Sequence, residues 1–248
     1  MPLHRDPDAH AGNRRSAGAR GARPGRGDPG AVMKVALIPL KRLDAGKSRL
    51  MGALPREAIA ELSLAMLGDV LEALAAVPEL DHRVVVTPDP EVGRAAEEAG
   101  AEAMVRQDPG LNPSLDEATA LLAKRGLGAL LVVLGDVAGA AGEDLQALFK
   151  VQAELGDRSV VLAPSRDGGT AALLRTPFDV IPSRFGRESA AAHEGAARER
   201  DVPFRACELA SLSVDLDRPD DLEALVAGTG PAPRTRALLR KLGLGGAR

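Results

Sequence analysis

From residue 33 onward, two hydrophobic periods alternate along the chain. Short apolar runs rich in Val, Ile and Leu predict buried strands, and longer segments with apolar residues three or four positions apart predict helices. The predicted strands are 34–39, 82–87, 103–106, 129–134, 159–164 and 212–216, with Leu173 and Leu174 as candidates for one more. The predicted helices are 55–76, 91–99, 112–125, 143–155, 188–200 and 219–226.

Strands that alternate with helices are typical of an α/β fold. We therefore expect a three-layer, Rossmann-like architecture in which helices cover both faces of a mostly parallel sheet. Right-handed crossovers bring the carboxyl ends of parallel strands to one edge, and ligands of such sheets bind outside that edge. The segments to inspect for function are 39–50, 87–89, 135–137, 164–170 and 215–217.

The pattern divides the chain into three parts. Residues 1–32 consist mostly of Gly, Pro, Ala and Arg, which bury too little apolar surface to offset the entropy of ordering, so a disordered leader is predicted. Residues 33–228 form the predicted domain. Residues 229–248 are interpreted as a basic C-terminal tail, whose order the sequence leaves open.

Composition excludes several functions. The chain of 248 residues has no Trp or Tyr, only four Phe and a net charge of −3, which argues against nucleic acid as a partner because base-stacking rings and a basic face are missing. A single cysteine, Cys207, excludes an internal disulfide framework and a Cys-rich zinc site. No apolar run approaches a membrane span of ~20 residues, and no secretory signal is evident, so a cytoplasmic location is expected.

The first candidate for chemistry is a basic segment after the first strand. It contains Lys41, Arg42, Lys47 and Arg49, but its glycine spacing matches neither a Walker loop nor a dinucleotide-binding motif. Lys point charges and Arg donor pairs at the end of a strand suit a triphosphate. The alternative is an ordinary solvated loop.

Three carboxylates form the second candidate. Asp136 follows the apolar strand 129–134. Asp215 and Asp217 alternate at the end of the predicted strand 212–216, so their side chains would share one face. Two carboxylates together with substrate phosphates are a usual way to hold Mg²⁺. The alternative is that these residues cap helices or turns.

The third candidate is a Gly-containing turn that leads into the helix 188–200. Free backbone N–H groups at this point favour an anion, with Arg184 and Ser189 as additional ligands. Ser189 and His193 are four residues apart and could share a helix face, but no nucleophile-elbow motif surrounds the serine. A packed histidine is the alternative.

Together, these segments resemble one family, the guanylyltransferases of deazaflavin coenzyme F-420 biosynthesis (CofC/FbiD type). The resemblance covers residues 33–226, and the matching motifs are Pro39-Leu40-Lys41-Arg42-Leu43, Lys47-Ser48-Arg49-Leu50, Val86-Thr87-Pro88-Asp89-Pro90, Gly110-Leu111-Asn112, Arg166-Asp167-Gly168, Arg184-Phe185-Gly186 with Ser189 and His193, and Asp215-x-Asp217-x-Pro219-x-Asp221-Leu222. It implies a nucleotide-diphospho-sugar transferase-like fold. It also implies a reaction in which GTP and 2-phospho-L-lactate or phosphoenolpyruvate are joined with release of pyrophosphate.

The resemblance also implies roles for individual residues. Those that would bind the triphosphate and act in catalysis are Lys41, Lys47 and Arg49. Those that would hold Mg²⁺ are Asp136, Asp215 and Asp217. Those that would bind the phospho-acid are Thr170, Arg184, Gly186, Ser189 and His193. Those that would contact the rest of the nucleotide are Pro39, Arg42, Ser48, Pro88, Asp89 and Asn112.

Two segments depart from the family pattern. Asp136 is followed by Val137-Ala138-Gly139 where the family usually has Leu-Pro, which predicts a looser backbone beside the metal. Thr170 is followed by Ala171 where the family often has Asn. The alternatives left open are a related nucleotidyltransferase with another base or acceptor, and a non-catalytic nucleotide-binding module. The sequence leaves the oligomeric state open.

Overall fold

The computed structural model describes residues 32–44, 47–51, 54–227 and 230–244. The predicted leader lies outside these ranges except for Val32. The strands are β1 (Met33–Pro39), β2 (His82–Thr87), β3 (Glu102–Val105), β4 (Leu127–Val133), β5 (Ser159–Pro164), β6 (Thr170–Thr176) and β7 (Phe204–Ala206). The helices are α1 (Arg56–Ala75), α2 (Pro90–Glu98), α3 (Leu111–Ala123), α4 (Gly142–Leu155), α5 (Ser189–Glu199), α6 (Pro219–Ala227) and α7 (Pro233–Lys241), with short 3-10 turns at Ser48–Leu50 and Ala210–Leu212.

The seven strands form one sheet in the order β3-β2-β1-β4-β6-β5-β7. Only β6 is antiparallel to its neighbours, so the sheet is mostly parallel, as the sequence predicts. Strand β4 is buried at every position, because helices cover both faces of the sheet centre. The parallel carboxyl ends of β1 to β4 therefore lie side by side at one edge.

Two aliphatic cores separate the helices from the sheet. On one face, α1, α2 and α4 pack on the sheet through residues such as Leu71, Val92 and Leu148. On the other face, α3 and α5 pack through residues such as Leu115 and Ala196. This arrangement confirms the predicted three-layer architecture, and it is built almost entirely from Ala, Val, Leu and Ile.

A third core lies beyond the sheet, where the N-terminal half of α1 contacts α6 and α7. Asp69, buried in α1, accepts hydrogen bonds from the backbone N–H groups of Arg234 (2.9 Å) and Thr235 (2.8 Å) and so caps the first turn of α7. Leu239 of α7 is fully buried in this core. The region interpreted as a basic tail thus contains a helix packed against the domain.

The prediction of a strand at 212–216 is wrong. Residues 210–212 form a 3-10 turn, and the chain then turns sharply, because the Asp217 N–H donates to the Asp215 carbonyl at 3.1 Å. Leu216 turns its side chain into the third core instead of lying in the sheet. The last strand of the sheet is β7, which pairs with β5.

In the described ranges, no helix is long and apolar enough to cross a membrane.

Candidate active site

A cavity of about 240 Å³ opens at the carboxyl ends of β1 to β4. Its lining combines apolar walls with cations and carboxylates. The lining residues are Pro39, Leu40, Lys41, Arg42, Lys47, Ser63, Val86, Thr87, Pro88, Gln107, Asp108, Leu111, Ser114, Leu134, Gly135, Asp136 and Asp217. The strand-end rule therefore locates the cavity correctly.

The basic segment extends from β1 across one end of the cavity. Lys47 donates to the Asp136 carboxylate at 3.1 Å, and its side chain is only 8 % exposed. Arg49 forms an ion pair with Asp217, whereas Arg42 pairs with Asp44. Lys41 is exposed at the cavity and forms no ion pair with any described residue. Ser48 lies in the 3-10 turn between these cations, and its side chain is outside the described part.

The three predicted metal ligands converge on this end. The Leu216 N–H donates to the Asp136 carbonyl at 3.1 Å, which brings the 215–217 turn against the end of β4. Burial raises the pKa of Asp215 to about 6, with the negative charges of Asp136 and Asp167 adding to the effect. A cation at this point would favour the ionised form of Asp215, which burial and the neighbouring negative charges disfavour.

Asp221 caps α6, the role that was the alternative to metal binding for Asp215 and Asp217. One of its oxygens accepts from the backbone N–H groups of Asp217 (3.1 Å) and Arg218 (2.7 Å) at the start of α6. Arg166 pairs with the other oxygen at 3.3 Å. The carboxylates of Asp215 and Asp217 are therefore not needed to cap α6.

The donor set suits Mg²⁺ in one specific respect. Oδ1 of Asp136 is buried and has no hydrogen-bond partner among the described residues, an arrangement that is costly unless a ligand occupies it. Within those residues, no cluster of three or more His, Cys, Asp or Glu side chains is arranged to hold a metal by itself. Water molecules or phosphate oxygens would thus have to complete the coordination sphere.

The residues predicted to bind the phospho-acid are not among those that line the cavity. Ser189 donates to Thr170 Oγ1 at 2.9 Å, and Thr170 Oγ1 lies 3.1 Å from His193 Nδ1. His193 Nε2 accepts the Arg184 backbone N–H at 3.0 Å, so Nδ1 carries the ring proton and donates to Thr170. All three side chains are at most 2 % exposed. In this arrangement they bond to one another, and His193 holds the backbone of the 184–186 turn.

That turn is fixed from a second side by Asn112. Its amide donates to the Phe185 carbonyl at 2.9 Å and accepts the Phe185 N–H at 2.8 Å. Gly186 has a φ of 137°, which favours glycine, and its Cα faces open space. The Arg184 guanidinium lies at the surface near Glu199, at 3.5 Å.

Two residues predicted to contact the nucleotide, Asp89 and Asn112, hold loops together in this structure. Asp89 caps α2 by accepting the Glu91 N–H at 2.9 Å, and its other oxygen accepts the Leu43 N–H at 3.1 Å. It therefore ties the basic segment to the end of β2. Asn112 holds Phe185 in the same way, whereas Pro39 and Pro88 do line the cavity.

Several lining residues escaped the sequence patterns. Gln107 and Asp108 follow the carboxyl end of β3, and Leu111 and Ser114 open α3. The strand-end rule could have found the first two, because β3 is predicted from the sequence. Ser63 lies in the middle of α1, where no sequence signal separates a lining residue from a core residue.

The departure after Asp136 does not loosen the chain in this structure. Val137 and Ala138 are fully buried, and a Cβ on Gly139 would come within 3.1 Å of the Ser211 carbonyl. Small residues at this position allow the 211–216 segment to approach closely. The backbone next to Asp136 is therefore held by packing rather than by a proline.

Comparison with known proteins identifies relatives along most of the chain. A family model described as guanylyl transferase CofC like matches residues 33–246. A phosphoenolpyruvate guanylyltransferase from Sphaerobacter thermophilus is 38% identical over 198 residues, which cover 79% of this chain and 94% of that protein. A 3-phospho-D-glycerate guanylyltransferase from Colwellia psychrerythraea is 30% identical over 195 residues, covering 79% of this chain and 92% of that protein.

Solved structures share the fold at lower identity. A protein from Desulfovibrio desulfuricans G20, provisionally described as a nucleotide-diphospho-sugar transferase, superposes with a TM-score of 0.69 and 17% identity over 85% of this chain and 95% of its own. A nucleotidyl transferase from Methanothermobacter thermautotroptrophicus superposes with a TM-score of 0.55 and 17% identity, covering 84% and 99%. These similarities confirm the nucleotide-diphospho-sugar transferase-like α/β fold.

Proposed function

The chain belongs to the CofC-like guanylyltransferase family, and we propose that it transfers GMP from GTP to phosphoenolpyruvate and releases pyrophosphate, a step of coenzyme F-420 biosynthesis. Several relatives that match most of the chain carry the name phosphoenolpyruvate guanylyltransferase. There are two alternative acceptors. One relative is named for 3-phospho-D-glycerate, and the family that the sequence resembles includes enzymes that use 2-phospho-L-lactate.

One observation carries the proposal most directly. Four cations and two carboxylates line or adjoin a cavity at the carboxyl edge of a mostly parallel sheet: Lys41, Arg42, Lys47, Arg49, Asp136 and Asp217. Cations bind phosphate oxygens and stabilise charge that develops on them, and carboxylates bind a divalent ion. Apolar side chains such as Val86 and Leu134 leave the rest of the cavity suited to a nucleoside.

In the proposed reaction, a phosphate oxygen of the acceptor attacks the α-phosphorus of GTP in line. The bond from that phosphorus to the bridging oxygen of the β-phosphate breaks, and pyrophosphate leaves with the electron pair. A phosphate monoester is largely dianionic at neutral pH, because its second pKa is about 6, so no side chain has to remove a proton. Lys41 and Lys47 bind the triphosphate and stabilise charge on the leaving group, and Arg49 contributes a third cation at this end.

Mg²⁺ is part of this proposal. Asp136 and Asp217 would hold the ion, with Asp215 beside them, because Asp136 Oδ1 has no hydrogen-bond partner among the described residues and the negative charge of Asp136 contributes to the raised pKa of Asp215. When bound, the ion would neutralise phosphate charge. Lys47 and Arg49, which now pair with Asp136 and Asp217, would then be free to contact phosphate oxygens.

The reaction is tested by pyrophosphate release from purified protein. GTP, ATP, CTP and UTP are each combined with phosphoenolpyruvate, 2-phospho-L-lactate and 3-phosphoglycerate in the presence of Mg²⁺. Release with GTP and phosphoenolpyruvate is the expected result. Release with a different acceptor alone would reassign the substrate, and no release from any pair would refute the transferase.

The metal site is tested by Asp136→Asn. Turnover should fall by about 10³-fold, because removing one carboxylate from such a site costs several kcal/mol of transition-state stabilisation. Binding of Mn²⁺, followed by electron paramagnetic resonance without substrate, should weaken in parallel. The control is Asp220→Asn, since Asp220 is an exposed carboxylate at the start of α6. Equal Mn²⁺ affinity in both variants would contradict the metal assignment.

A further inference from the structure

The cavity has a second end, away from Lys47, Asp136 and Asp217, and Arg42 lies nearer to this end, beside Gln107 and Asp108. Strands β3, β2, β1 and β4 are consecutive in the sheet, so the end of β3 lies three strand spacings, about 14 Å, from the end of β4 that carries Asp136. Gln107 and Asp108 line the cavity at the β3 end, together with Leu111 and Ser114 of α3. With phosphates at the β4 end, the nucleobase of a bound nucleotide extends toward β3.

Asp108 is distinguished by its negative charge. Among the described residues that line the cavity, it is the only carboxylate at the β3 end. Its Oδ1 accepts the Gly110 N–H at 3.1 Å, which orients the carboxylate, and no described residue donates to Oδ2. The neighbouring polar candidates Asp89 and Asn112 are already bonded to backbone groups, as shown above.

The chemistry of a carboxylate selects among the bases. Guanine presents two adjacent donors, N1–H and the 2-amino group, and a carboxylate offers two acceptor oxygens at matching separation. Adenine presents an unprotonated N1 at the same place, which a carboxylate repels. The apolar side chains of Val86 and Leu111 line the same cavity and can cover the faces of a base in a chain that has no Trp or Tyr.

The geometry points to Asp108 as the residue that selects guanine, by accepting hydrogen bonds from N1–H and the 2-amino group of GTP. This inference rests on the proposed function, because it takes the cavity to be the nucleotide site. It assigns base specificity to the turn after β3, and it leaves Asp89 and Asn112 as residues that position neighbouring loops.

The test is Asp108→Asn with GTP and xanthosine triphosphate. Asparagine still accepts from N1–H, but its NH₂ group faces the 2-amino group of guanine and matches the 2-carbonyl of xanthine. The kcat/KM for GTP should fall about 10- to 100-fold, as expected for a charge-assisted hydrogen bond, and that for xanthosine triphosphate should rise at least about tenfold. An asparagine variant that keeps the wild-type preference for GTP, or that loses GTP without gaining xanthosine triphosphate, would overturn the inference.

Two additions keep this test separate from that of the transferase activity. Equilibrium binding of both nucleotides by calorimetry reports base preference even if no acceptor supports turnover, so the inference can fail or hold independently. Glu117→Gln is the matched control, because Glu117 is a half-exposed carboxylate of α3 that faces Arg106 at 3.9 Å and does not line this cavity. It should bind both nucleotides as the wild type does.

Discussion

His193 should make the stability of the protein depend on pH in a predictable direction. The imidazole is fully buried and contacts the Phe185 ring edge-on, with 5.0 Å between ring centroids. Burial, together with the smaller effect of the positive charges of Arg175 and Arg184, lowers the pKa of His193 to about 4. The folded protein therefore keeps this ring neutral at pH values where the unfolded chain would protonate it.

The sign and magnitude follow from proton linkage. Between pH 6.5 and about 4, the unfolded state binds a proton that the folded state excludes, so stability falls as the pH is lowered. Above pH 6.5 neither state binds it, and the full stabilisation is present. At about 1.4 kcal/mol for each pH unit, the interval between 6.5 and about 4 corresponds to a loss of about 3 kcal/mol.

The prediction is tested with His193→Gln, which removes the titrating group. The free energy of unfolding is measured in guanidinium chloride from pH 4 to pH 7.5. The variant should be less stable at pH 7.5, because it loses the imidazole hydrogen bonds that connect Thr170 to the Arg184 backbone. Its stability should nevertheless depend less on pH than that of the wild type. His82→Gln, at an exposed position, should retain the wild-type pH dependence. Equal slopes for wild type and His193→Gln would refute this reasoning.

Two further changes test residues that position the site without lining it. Asp69→Ala should lower the free energy of unfolding by about 1–2 kcal/mol, because it removes the cap of α7. Replacing the exposed Glu72 with Ala should have little effect. Urea denaturation of the two variants measures the difference. Asn112→Ala removes both hydrogen bonds to the Phe185 backbone. In steady-state kinetics we expect a higher KM for the acceptor and an unchanged KM for GTP. A higher KM for GTP alone would indicate that Asn112 binds the nucleotide.

The sequence predicts the centre of the fold well because the apolar pattern is continuous there. Strands β2 and β5 have the predicted boundaries, and α1 differs by one residue at each end. Strand β7 could not be predicted in this way, since it has three residues, of which none is fully buried. It exists because its backbone pairs with β5, and backbone pairing leaves no hydrophobic period in the sequence.

Helix α7 illustrates a different limit. Its first turn is capped by Asp69, which lies 165 residues earlier than Arg234 in the chain. The local composition around Pro231 and Pro233 predicts only a basic tail. The capping residue and the apolar surface of α1, which stabilise the helix, are remote in sequence and so contribute nothing to the local pattern. Long-range contacts of this kind require the fold to be known first.

The predicted site residues fall into two groups. Some have side chains at the cavity, and others have polar atoms that already bond to backbone groups. The strand-end rule identifies the correct edge of the sheet, and Lys41, Lys47, Asp136 and Asp217 do adjoin the cavity. Asp89 and Asn112 follow the same rule, yet their polar atoms bind backbone groups of neighbouring loops. Sequence alone cannot distinguish the two classes, because the partner of each side chain depends on a loop elsewhere.

The carboxylates of the 215–217 turn meet Asp136 for a reason other than strand alternation. The backbone of Leu216 bonds to the Asp136 carbonyl, while its side chain packs in the third core with α6 and α7. The position of the predicted metal ligands thus depends on hydrophobic contacts outside the sheet. Since α7 completes that core, this helix supports the end of the cavity that carries Lys47 and Asp136, although no residue of α7 lines the cavity.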